Sequence, residues 1–110
     1  MTHPLVGSWR IVAMDLWDQA FVDLLGPGTI AFDEHGGGEF RFGAVVGGLD
    51  CGYGKATVDF TWNGHDEMEE AFGDGWAKLH GDGTIEGEIA FHRGDTSSFR
   101  AVRLSSSTAC

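Results

Sequence analysis

The chain has 110 residues, 42% hydrophobic and 22% charged, the make-up of one ordinary globular domain. Seventeen acids against seven Lys and Arg leave a net charge of −10. That charge excludes nucleic-acid backbones and anionic membrane surfaces as natural partners, because their phosphates repel it; no apolar stretch approaches the ~20 residues of a membrane-spanning helix.

Leu5 to Met14 is apolar on both faces and predicts a buried strand, with Leu5, Gly7, Trp9, Ile11 and Ala13 on one side. Between Asp15 and Leu25 the period changes. Trp17, Phe21, Leu24 and Leu25 fall at helical spacing, Asp15 or Asp18 is available as N-cap, and Gly26-Pro27 forms a stop. This predicts a short amphipathic helix near residues 16–25, placed to cover one open end of the fold.

From residue 28 the period is two. Ile30 and Phe32 share a face, Glu34 to Gly38 reads as a turn, and Phe40, Phe42, Ala44 and Val46 alternate with Glu39, Arg41 and Gly43 before Gly47-Gly48 breaks the pattern. Lys55 to Trp62 predicts a strand with Ala56, Val58, Phe60 and Trp62 inward. Asn63-Gly64 follows as the strongest hairpin-turn signal of the chain. Residues 64–75 read as an acidic loop or helical turn. Trp76 to His80 resumes a strand, Asp82-Gly83 turns, Ile85 to His92 alternates, Gly94-Asp95 turns, and Ser97 to Leu104 closes the pattern with Phe99, Ala101 and Arg103 on one face. Residues 1–104 form the expected single domain, and 105–110 the expected disordered tail.

About eight strands joined by tight turns imply antiparallel meander topology, since parallel pairs need long crossovers. Nearly every strand has one apolar face rich in Phe and Trp. Closing the sheet into an up-and-down barrel buries that face and removes both edges; a β-sandwich is the competing architecture. Trp9, Phe32, Phe40, Phe42, Phe60, Trp62, Phe91 and Phe99 are all expected inside.

Gly7-Ser8-Trp9 near the start and Phe99-x-Ala101-x-Arg103 near the end make the chain resemble the lipocalin and calycin group of small β-barrels. The resemblance implies that Trp9 sits inside the closed end, that Arg103 packs across its face, and that the barrel holds a ligand. Arg100, the other late arginine, alternates with Phe99 and is expected to point out. Trp62-x-Gly64-x-Asp66-Glu67-Met68, Gly75-Trp76-Ala77 and the run from Asp82 to His92 are also similar to short bacterial proteins of comparable length, a likeness that brings no activity with it. Departures are plain: typical lipocalins are longer, secreted and disulfide-linked. Intracellular fatty-acid-binding proteins have two helices and an Arg-rich interior, and the biotin-contacting pattern of avidin-type barrels is not found here.

The residues that carry chemistry elsewhere have structural explanations here. Asp66, Glu67, Glu69, Glu70 and Asp74 offer carboxylates to a divalent cation, and His65 with the acids of 66–70 offers acid–base groups to a small barrel enzyme, but a solvated loop explains them as well. His3, His35, His65, His80 and His92 lack metal-ligand spacing; a haem ligand would be His80 or His92. No metal or cofactor is expected, and the serines lack a nucleophile elbow. Cys51 and Cys110 are expected as two thiols in a cytoplasmic protein without a signal peptide, a Cys51–Cys110 disulfide being the alternative.

Two readings of the interior stay open: a core filled by its own rings, or a small apolar pocket whose open end is lined by Phe42, Tyr53, Phe60 and Trp62. The leading expectation is non-enzymatic binding of a small hydrophobic or aromatic ligand. The alternatives are a solid barrel that dimerises through outward Trp76 and its neighbours, and an enzyme using His65 and the nearby acids.

Overall fold

The computed structural model describes residues 3–104; the tail expected at 105–110, and with it Cys110 and any disulfide, lies outside the described residues. Eight strands run in chain order around a closed antiparallel barrel. They are β1 (Gly7–Met14), β2 (Thr29–Phe32), β3 (Gly37–Phe42), β4 (Val45–Tyr53), β5 (Thr57–Asp66), β6 (Glu69–Leu79), β7 (Ile85–Phe91) and β8 (Thr96–Arg103). β1 and β8 close the ring, with Trp9 opposite Arg103 and Met14 opposite Phe99. Closure follows from the one-sided pattern: a sheet of this size with an apolar inner face leaves neither that face nor an edge in water once it meets itself. No helix of the described residues is long and apolar enough to cross a membrane.

The expected inward rings all line the interior. Seven are buried and Phe91, at a strand end, is half-buried. Ile11, Ile30, Val58, Ile85 and Ile89 fill the spaces between them. Ser97 is the one buried polar side chain among the described residues. Its hydroxyl donates to the Ser98 carbonyl and accepts from the amides of Asp15 and Leu16, so no hydrogen-bonding group of that side chain goes unused.

Four local expectations are corrected. The run from Phe40 to Val46 is a hairpin rather than one strand: Phe42 pairs with Val45 across a two-residue turn at Gly43-Ala44, with Gly43 at φ +57°. Val45, Gly47 and Leu49 therefore face inward in place of Ala44 and Val46. Gly47 does not break the strand. A Cβ there would lie 2.8 Å from both Phe40 and Trp62, so the missing side chain makes room for two rings.

Asn63-Gly64 does not turn either. β5 continues to Asp66, the turn falls at Glu67-Met68, and the acidic segment is the exposed end of a long β5–β6 hairpin. The ladder decides this: turning at residue 64 would leave the backbone of Val45 to Gly47 without the partners it has in Gly64 to Asp66. The first strand begins at Gly7, not Leu5, and a bulge at Val12 shifts the register so that Ala13 pairs with Arg100 and faces solvent. Finally, the predicted helix shrinks to one turn, α1 (Gln19–Val22), leaving Leu24 and Leu25 exposed.

Candidate functional site

The two ends of the barrel are closed differently. At the end where β1 begins, residues 3–6 fold across the opening and Leu5 is buried. The Trp9 indole N–H donates to the Leu5 carbonyl at 3.0 Å, and the Arg103 guanidinium lies 4.1 Å over the indole ring centre. Arg103 also donates to the carbonyls of Val6 and Pro4 at 2.8 and 2.6 Å, which ties the covering segment to the last strand. Gly7, at φ +129°, has no Cβ because one would meet Nη1 of Arg103.

The opposite end is covered by the strap from Asp15 to Gly28, which carries α1. Asp18 caps the helix by accepting from the Phe21 amide at 3.0 Å. The Asp23 carboxylate gathers Gly28 N–H at 2.8 Å, Gln19 Nε2 at 2.9 Å and Arg10 Nη2 at 2.6 Å. The Gly28 and Gln19 hydrogen bonds, then the Arg10 charge, hold that carboxyl below the usual aspartate range against some desolvation. Beneath the strap the Trp17 ring centre sits 5.2 Å from Phe42, 5.9 Å from Phe21 and 6.1 Å from Phe91. Trp62 lies one layer deeper, 5.1 Å from Phe91 and 4.9 Å from Phe40. Its indole N–H donates to the Ala90 carbonyl at 3.1 Å. This end is thus a cluster of aromatic rings, none of them ionised, roofed by a single helical turn whose own charges, Asp18 and Asp23 (paired with Arg10 of β1), belong to the strap.

The four expected lining residues do not share one mouth. Phe42 and Trp62 belong to the strap-covered end. Phe60 packs against Phe32 at 6.2 Å, and its ring fills the space a Cβ on Gly75 would need. Tyr53 sits at the far end, where its hydroxyl donates to the Asp33 carbonyl and its ring lies 4.6 Å from His3. β4 carries Tyr53 and β3 carries Phe42, and neighbouring antiparallel strands place their last residues at opposite ends. Trp17 was legible only as a helix residue. Its i, i+4 pairing with Phe21 was the available signal for a plug.

Near Tyr53, burial pushes the Cys51 thiol up to about 11, with the charges of Asp33 and Asp50 adding to the effect. Burial likewise raises the Tyr53 hydroxyl to about 12, with help from Cys51 and Asp33. A raised thiol pKa keeps the proton on sulfur until pH climbs towards that value, and only the thiolate attacks electrophiles. Alkylation of Cys51 by iodoacetamide at pH 8, followed by mass spectrometry of the peptide that contains it, should therefore run roughly a hundredfold slower than for an unperturbed thiol. A rate equal to that of a free cysteine would contradict the burial.

The acids of the hairpin do not converge. His65 lies opposite Glu70 and Asp66 opposite Glu69 on exposed strands. No group of three or more His, Cys, Asp or Glu among the described residues is placed to hold a metal. His80 pairs with Glu86 at 2.5 Å, and His92 stacks on Phe72 at 4.6 Å, so both point away from the interior. Comparison with protein-family models, with curated proteins and with solved structures finds no match to this chain.

Proposed function

We propose that the chain is a non-enzymatic binding barrel of the lipocalin kind, and that it takes a small, uncharged aromatic or apolar molecule at the strap-covered end. The observation that carries this reading is the cluster of Trp17, Phe42, Trp62 and Phe91 beneath a one-turn helix. A guest would replace the Trp17 ring under the strap and gain roughly 25 cal/mol for each Å² of apolar surface taken from water. With no ionised side chain in the cluster, a charged guest would be desolvated without a partner.

The test is a titration with Nile red, a neutral dye, read by dye emission and by tryptophan quenching. Removing the plug with Trp17→Ala leaves a cavity walled by rings, and rigid apolar cavities of this sort accept apolar guests. The variant should bind at least about tenfold more tightly than the parent chain. If neither protein binds while circular dichroism shows both folded, the interior is no binding site.

A second reading, a filled barrel that works through its outer surface, is favoured by the same rings. They touch in series from Trp17 through Phe42, Phe40 and Trp62, and Phe32 packs on Phe60 towards the other end.

A further inference from the structure

The outer face of β4, β5 and β6 carries a shallow groove. Asp50, Asp59, Thr61, Asp74 and Trp76 line it, and Gly52 leaves one side low. Register places these side chains together: Gly52, Asp59, Trp76 and Glu88 form one row across four strands, and Asp50, Thr61 and Asp74 form the next. Trp76 is 37% exposed, and its indole N–H donates to Glu88 Oε1 at 3.1 Å, which fixes the ring as a wall. The two rows contain four carboxylates and no Lys or Arg. The nearest cation on the face, Lys78, lies one row beyond, opposite Thr57 and Glu86.

We propose that this groove docks a basic segment of another protein, with a Lys or Arg side chain lying on the Trp76 ring and its charge among Asp50, Asp59 and Asp74. Charge complementarity selects the occupant. A second copy of this chain would bring the same negative face to the same site, and an anionic ligand would be repelled. A half-exposed indole among carboxylates suits a cationic side chain, because the ring face attracts the charge and the acids neutralise it. The barrel has no free edge strand, so the partner cannot add as a strand and must be read through its side chains. The inference does not depend on whether the interior takes a guest.

The probe is a fluorescein-labelled decapeptide of alternating lysine and threonine, titrated into the full chain and followed by anisotropy at low salt. Saturable one-to-one binding is expected. Trp76→Ala should weaken it about fivefold or more, Trp76→Phe should restore part of the loss, and the pair Asp59→Asn with Asp74→Asn should weaken it more than Trp76→Ala does. A control pair of equal charge change on other faces, Glu34→Gln with Asp95→Asn, should change affinity less than twofold. Equal losses from both pairs would reduce the binding to net charge alone. An unaltered affinity in Trp76→Ala, no binding at all, or elution of the chain as a dimer that Trp76→Ala dissolves would each overturn the proposal.

Discussion

Replacing Trp9 with alanine is expected to cost about 3–5 kcal/mol of folding stability and to lower the thermal midpoint by more than about 10 °C. The indole is wholly buried and touches three parts of the chain at once. Its ring is sandwiched under Arg103, its N–H satisfies the Leu5 carbonyl, and its body fills the base of the barrel. Truncation opens a hole, strands an acceptor and loosens the segment at residues 3–6, losses that fall on one end of the structure together. A domain of this size has only about 5–15 kcal/mol in hand. Trp9→Phe keeps a ring but not the N–H and should fall between the two. Arg103→Met should cost about 1–2 kcal/mol, since it removes the contact with the indole and the hydrogen bonds to the Val6 and Pro4 carbonyls, all at an exposed rim. Urea unfolding of the three variants tests the order. A Trp9→Ala chain within about 1 kcal/mol of the parent would mean that the indole is not part of the core.

The second large effect is expected at Gly64. Valine there should destabilise the fold by about 1–3 kcal/mol, towards the upper end of that range. A Cβ at this position would fall on the Val46 carbonyl of the neighbouring strand, so β4 and β5 would have to part where their ladder is continuous. Asn63→Ala, whose side chain is exposed, should be within about 0.5 kcal/mol of neutral. The pair separates the two geometries: in a tight turn Asn63 and Gly64 would both matter, through their tolerance of positive φ. Denaturant midpoints for the two variants decide it.

That contrast shows where local signals stop. The turns at Asp82-Gly83 and Gly94-Asp95 were legible because the flanking alternation ends there as well, so short-range chemistry and pairing agree. At Asn63-Gly64 they disagree, and the pairing partners on both sides win. At Gly43-Ala44 no strong turn dipeptide announces the hairpin; only the register of Phe42 with Val45 does. The helix was overestimated because Leu24 and Leu25 fit its period. The Asp23 carboxylate instead gathers Gly28, Gln19 and Arg10 and stops the helix after Val22.

The candidate site divides in the same way. Phe42, Phe60, Trp62 and Tyr53 can each be picked from the chain as aromatics on strand-patterned segments. Which end of a barrel each occupies depends on strand direction and on where the turns fall, and two of those turns were misplaced. The outer groove was still less visible, since Asp50, Asp59, Asp74 and Trp76 come from three strands and meet only through register.

Alternation along each strand was enough to determine the class of fold, the inward rings and the tight-turn meander, because period two is a property of the extended backbone alone. The contact of Trp9 with Arg103 was implied only by the resemblance of Gly7-Ser8-Trp9 and Phe99-x-Ala101-x-Arg103 to the lipocalin and calycin group. Hairpin register, the bulge at Val12, the length of α1 and the grouping of side chains into two ends and one outer groove were decided by the closed barrel. Each of these depends on which backbone groups find partners across strands distant in sequence, and no local pattern encodes that pairing.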